Sequence, residues 1–122
     1  MGAKTAKGNE DVRVMRKYRN KVITWNGMKF DSQKELNRYG ELRLLQRAGK
    51  ISGLDRQVRF ELIPAQYENG KCVFREANYY ADFVYWENGK FVVEDVKGVK
   101  TPEYILKAKL MFQNYHIKIR ET

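Results

Sequence analysis

One cysteine, one histidine and two prolines set the first limits on this 122-residue chain. With Cys72 alone, no disulfide can form within the chain, so the hydrophobic core must hold the fold. A lone thiol also fits a reducing compartment, and Cys72 is expected as a packing thiol. Apolar runs are short as well: none approaches the roughly 18 residues that a membrane-spanning helix requires. The opening Met-Gly-Ala-Lys-Thr-Ala-Lys-Gly has neither the apolar stretch nor the small-residue cleavage site of a secretory signal. The expected location is the cytoplasm. The length suits one domain with its own core.

Acidic residues are also in short supply. Fifteen Asp and Glu against 24 Lys and Arg leave a formal charge of +9, which favours a polyanionic partner, with nucleic acid first. A membrane surface is the rival polyanion, but no segment joins a basic face to a strong apolar face outside the core. The basic residues gather at the ends: Lys4, Lys7, Arg13, Arg16, Lys17, Arg19 and Lys21, then Lys97, Lys100, Lys107, Lys109, Lys118 and Arg120. Residues 1–21 therefore read as a basic arm, mobile or partly helical until it meets a partner, ahead of one domain over residues 22–122.

Three Asn-Gly pairs punctuate the chain, at Asn26-Gly27, Asn69-Gly70 and Asn88-Gly89. Each predicts a type I′ hairpin turn, whose central residues need positive φ. A helix is expected from Ser32 as N-cap to Gly49 as stop, strands over about 56–63, 78–86 and 90–97, and a second helix opened by Thr101-Pro102 and running to about Asn114. The alternating His116-Ile-Lys-Ile-Arg120 predicts a last strand. Hairpin, helix, antiparallel strands, helix and strand together make an α/β or α+β fold with a mixed sheet.

The segment Phe91-Val-Val-Glu-Asp-Val-Lys-Gly98 places three charges after three apolar residues. With Asn88-Gly89 as a two-residue loop, each opposed pair of residues adds up to 177. Trp86 then faces Phe91, Val84 faces Val93 and Asp82 faces Asp95 on one side of the sheet, with Lys97 next along, opposite Tyr80. The Trp86, Phe91, Val84 and Val93 part of that face reads as buried. Glu94, with Val92 and Val96, falls on the other side as a structural residue. Two carboxylates directly opposed lie about 5 Å apart at Cβ and repel each other. A divalent cation held by both would offset this, as would a shared proton; a solvated hairpin end is the plainer account.

Glu35 falls between Tyr39 and Leu42 in the apolar sector of the first helix. As the last residue of Ser32-Gln-Lys-Glu35 it would also complete a capping box by bonding back to the Ser32 amide.

Glu35 on a helix, Asp82 on a strand and Asp95-Val-Lys97 on its hairpin partner resemble the signature of the PD-(D/E)xK nuclease superfamily. Phe30-Asp-Ser-Gln-Lys-Glu35, Tyr80-Ala-Asp-Phe83 and Glu94-Asp-Val-Lys-Gly98 followed by Thr101-Pro102 look like a group of small phage-encoded nucleases similar to archaeal-type Holliday junction resolvases. The resemblance covers roughly residues 22–120 and implies a restriction-endonuclease-like αβββαβ core. It implies Asp82 and Asp95 as the main metal ligands, Glu35 as a further ligand directly or through water, and Val96 as a backbone carbonyl ligand. Lys97 would orient or activate the attacking water. Ala81 stands where the superfamily name has proline, and aspartate replaces the commoner glutamate at position 95.

Phosphodiester hydrolysis needs an activated water and stabilisation of negative charge at phosphorus, which Mg²⁺, or Mn²⁺ in its place, supplies. The oxygen ligands suit those ions. With His116 the only imidazole and Cys72 the only thiol, zinc is disfavoured. His116 itself, opening the last strand, is expected to be structural. Lys100, Lys107 and Lys109 would hold DNA phosphates without reading sequence, the alternative for each being a solvated surface. The expected function is a Mg²⁺-dependent endodeoxyribonuclease resolving four-way junctions in phage recombination or replication, in the host cytoplasm. Paired nicks related by two-fold symmetry imply a homodimer. The rivals are a nuclease of the same fold acting on flaps or duplex ends, and a non-catalytic basic DNA-binding module.

Overall fold

The computed structural model describes residues 22–96 and 100–122. The expected basic arm, residues 1–21, and Lys97 lie outside the described residues. The chain divides into two compact units, Met1–Leu36 and Asn37–Thr122.

Within the first unit, β1 (Ile23–Trp25) and β2 (Met28–Phe30) form an antiparallel hairpin. Its turn has φ of 53° at Asn26 and 79° at Gly27, the pair of positive values that a type I′ turn requires. The helix α1 (Gln33–Arg47) begins here. The Oγ of Ser32 accepts from the Glu35 amide at 3.1 Å, as an N-cap should. The return bond differs from expectation: Glu35 Oε1 accepts from Asp31 N at 3.1 Å, one residue upstream of the amide a capping box would use.

The second unit carries the rest of α1, which closes at Gly49 (φ 78°). Gly49 N donates to Gln46 O and Lys50 N to Leu45 O, so two carbonyls orphaned at the helix end are satisfied in a Schellman arrangement. A mixed four-stranded sheet follows in the order β3 (Ser52–Ile63), β6 (Ala77–Glu87), β7 (Lys90–Asp95), β8 (Arg120–Glu121). The first three strands are antiparallel neighbours and β8 runs parallel to β7. Between β3 and β6, β4 (Gln66–Glu68) and β5 (Lys71–Phe74) make a separate exposed hairpin. The helix α2 (Pro102–Tyr115) has Thr101 as N-cap, its Oγ1 accepting from Tyr104 N, and proline in its first turn.

The sheet separates two apolar layers. On one side Leu62, Tyr79, Ala81, Val84 and Val93 pack with Tyr104 and Met111 of α2 and with Ile119. On the other, Phe83, Tyr85 and Val92 pack with Leu42 of α1 and with Ile51. Strand alternation cannot produce this division, because Tyr79 and Ala81 share one layer while Phe83 and Tyr85 share the other. The switch falls where Gln57 and Asp82 oppose each other, a position at which the β3–β6 ladder skips a pair but keeps its register. Gln57 has φ of 54°, and this left-handed residue turns β3 over. Leu54 belongs to the α1 side, while Val58 and Phe60 belong to the α2 side.

Four expectations are corrected. His116 opens no strand: it caps α2 in the left-handed conformation, φ 57°, with its N–H donating to Phe112 O. The final strand is only Arg120–Glu121, because the chain must first leave the helix before it can align with β7. Cys72 is exposed on β5 rather than packed, its thiol directed to Phe74 O at 3.3 Å. Trp86 and Phe91 do face each other, with ring centroids 5.1 Å apart. They remain 48% and 37% exposed, because they lie at the turn end of the hairpin, away from the core clusters. Among the described residues, no helix is long and apolar enough to cross a membrane.

Candidate functional site

The β6–β7 hairpin has the register that its two-residue loop dictates. Glu87 pairs with Lys90, Trp86 with Phe91, Val84 with Val93 and Phe83 with Glu94. Asp82 and Asp95 come next, just past the last ladder pair. Here the Asp82 side chain replaces backbone pairing, its Oδ2 accepting from Val96 N at 2.8 Å. Its Oδ1 accepts from Gln57 Nε2 at 3.3 Å, so the inverted residue on β3 and the first residue past β7 hold one carboxylate between them.

Asp95 is 3% exposed. Its Oδ2 accepts from the Tyr79 hydroxyl at 2.6 Å, the short distance expected of a charge-assisted bond. Burial pushes the Tyr79 phenol far above its ordinary pKa, and the hydrogen bond to Asp95 and its charge push further, with Asp82 adding to the effect. Tyr104 on α2 behaves similarly: burial raises its pKa first, then the bond to Glu121, then the charges of Asp95 and Asp82. The two carboxylates thus act together on two phenols, and both phenols stay protonated donors at neutral pH. Tyr104 spends its proton on Glu121 Oε2 at 2.8 Å.

On the opposite face, Glu94 is fully buried and belongs to a separate network. Arg38 of α1 donates to it through Nε at 2.6 Å and Nη2 at 3.0 Å, and Tyr85 Oη and Thr122 Oγ1 donate at 2.6 and 3.0 Å. Burial acts to raise the Glu94 pKa, but these donors outweigh it and hold the carboxyl below its ordinary value. Every acceptor position of Glu94 is used in tying helix to sheet, which makes it structural.

Glu35 belongs to the first unit and is buried, 3% exposed, with its carboxylate turned to the Asp31 amide. The three expected DNA-binding lysines divide. Lys100 pairs with Glu121 at 3.0 Å and Lys107 with Glu103 at 3.1 Å, whereas Lys109 is exposed on α2. Among the described residues, no group of three His, Cys, Asp or Glu side chains is gathered as a ready-made metal cluster. Asp82 and Asp95 follow the last ladder pair on adjacent strands, and the Val96 group that meets Asp82 is its N–H.

Sequence reasoning missed Tyr79 and Gln57. Alternation puts Tyr80, not Tyr79, on the face of Asp82; the faces of β6 change over between Ala81 and Phe83, opposite the left-handed Gln57 of β3, and nothing local marks that glutamine for positive φ. Tyr104 had a weak signal, three residues after the Thr101 cap and thus on the first turn above the sheet. No curated protein and no solved structure matches the chain. A family model described as "Protein of unknown function (DUF1064)" matches residues 15–122, nearly the whole chain, and the protein therefore belongs to the DUF1064 family.

Proposed function

We propose that this protein is a metal-dependent endodeoxyribonuclease with a restriction-endonuclease-like core, acting on branched DNA and most readily on four-way junctions. One observation carries the reading: Asp82 and Asp95 stand at opposed positions just past the last pair of the β6–β7 ladder, each held in place by a hydrogen-bond donor. The donors that hold these carboxylates are neutral, Val96 N and Gln57 Nε2 to Asp82 and the Tyr79 hydroxyl to Asp95, and a bound cation would offset the repulsion between the pair. In further support, α1, β3, β6, β7, α2 and β8 run in the αβββαβ order of that superfamily, with the β4–β5 hairpin as an insertion. The charge of +9 suits a DNA partner.

Asp82, Asp95 and the Val96 carbonyl would hold Mg²⁺ or Mn²⁺. When bound, such an ion lowers the pKa of a coordinated water and neutralises charge on the phosphate. The chain's own groups prepare the site. Val96 N and Gln57 Nε2 fix the Asp82 carboxylate, and Tyr79 fixes Asp95, so neither has to reorganise during the reaction. Lys97 is assigned by resemblance to orient the attacking water, and Glu35 by resemblance to a further ligand role. Cutting a junction symmetrically calls for a homodimer, working in the cytoplasm of the host cell.

The test compares the protein with Asp95→Asn on labelled four-way junction and linear duplex, in Mg²⁺ or EDTA. Mg²⁺-dependent nicking of the junction that Asp95→Asn abolishes is expected. Binding without metal-dependent cutting of either DNA leaves a non-catalytic binding module instead, and equal cutting of both removes the junction preference.

A further inference from the structure

We propose that the groove between α2 and residues 117–121 is a subsite for an unstacked nucleotide beside the scissile phosphate. Its base would lie against Phe112 and Ile105 and its phosphates against Lys109 and Lys118. This rests on the endonuclease reading and goes on to name what the site selects.

The groove measures about 580 Å³, within the range of sites that enclose small ligands. Its floor is apolar, with Tyr104, Ile105, Phe112 and Ile119. Ile105 and Phe112 are 43% and 54% exposed, and the Phe112 and His116 rings make a T-shaped contact with centroids 5.5 Å apart. Lys109 and Lys118 line the same groove. Unlike Lys100 and Lys107, which are committed to Glu121 and Glu103, these two have no salt-bridge partner among the described residues. An aromatic surface flanked by uncompensated lysines is the arrangement that holds single-stranded nucleic acid, where bases stack on rings and the backbone follows positive charge.

Position gives the groove its role. Glu121, which lines the groove with Tyr104 and accepts from its hydroxyl at 2.8 Å, is the ladder partner of Asp95, so the groove runs alongside the strand position that carries Asp95. Bases stacked inside a duplex offer no face to Phe112. DNA with a splayed nucleotide, as at a junction or flap, does. A second copy of this chain is a poor occupant, since an isologous two-fold contact would set Lys109 and Lys118 against themselves.

The test is fluorescence anisotropy in EDTA, so that binding is read without cleavage, using a labelled single-stranded oligothymidylate and a blunt duplex of equal length. Phe112→Ala should weaken single-strand binding about 5- to 100-fold and leave duplex binding within about twofold. Phe112→Tyr should restore it. The Lys109→Ala/Lys118→Ala double variant should flatten the salt dependence of single-strand binding by about 1.4 in log-log slope. Thermal melts check folding, which the exposure of Phe112 should spare. No selective loss in Phe112→Ala, or full competition by an acidic aromatic peptide at matched charge, overturns the nucleotide subsite. If wild-type protein cuts no DNA in Mg²⁺ while Phe112→Ala still loses single-strand binding, the endonuclease reading falls and the nucleotide site stands.

Discussion

The hydroxyl of Tyr79 donates to Oδ2 of Asp95 across 2.6 Å in the interior of the α2 layer. The bond links a residue that alternation would place on the wrong face to the carboxylate most central to the proposed chemistry. Tyr79→Phe should keep the ring packing and remove only the donor. The expected result is a 10- to 100-fold rise in the Mn²⁺ concentration needed for half-maximal binding, by analogy with other residues that orient metal ligands. Calorimetric Mn²⁺ titration without DNA measures it directly, and unchanged affinity would show that Asp95 is oriented by other contacts.

Glu94 and Asp95 are neighbours with opposite duties, and their amides should separate them. Glu94→Gln weakens a buried bidentate pair with Arg38. Arg38→Ala removes its cation altogether and should cost about 3–5 kcal/mol, the usual result of stranding a buried charge. Asp95→Asn should abolish cutting while leaving the melting temperature at or near that of the wild type. Denaturant unfolding beside a nicking assay decides the matter; if Glu94→Gln is as stable as wild type but inactive, the two roles have been exchanged.

Acid should unfold the protein partly through Glu94. Its carboxyl is held below the ordinary value near 4.5, so its contribution is complete above about pH 4.5 and disappears as the pH falls through the lower folded-state value. The wild type should therefore lose its stability advantage over Glu94→Gln progressively below pH 4.5. Melting temperatures of both proteins between pH 7 and pH 3 would show converging curves.

Gly53 tests a different constraint. It has φ of +65°, and a Cβ there would lie 3.2 Å from Trp86 Cδ1. Gly53→Ala should cost about 1–2 kcal/mol from the left-handed backbone alone, with a further change in tryptophan emission as Trp86 shifts. Gly89→Ala, with φ of +76° but nothing within 4 Å of the added Cβ, should show the backbone cost without the spectral change.

Local chemistry in the sequence determined much of this protein. The three Asn-Gly turns, the Ser32 and Thr101 caps and the β6–β7 register all follow from preferences that act over a few residues, and they survive folding unchanged. The separation of Asp95 from Glu94 follows too, because side chains on one strand must alternate. What only the tertiary structure decided lies where alternation breaks. β3 turns over at the left-handed Gln57 opposite Asp82, and at the same level Tyr79 reaches Asp95 and Val96 N bonds to the Asp82 side chain instead of to a ladder partner. The ring of donors around Glu94, drawn from α1, β6 and the C-terminus, is likewise invisible to a local reading. Those partners are separated by as many as 56 residues in sequence, and it is packing of the two helices on opposite faces of one sheet that brings them together.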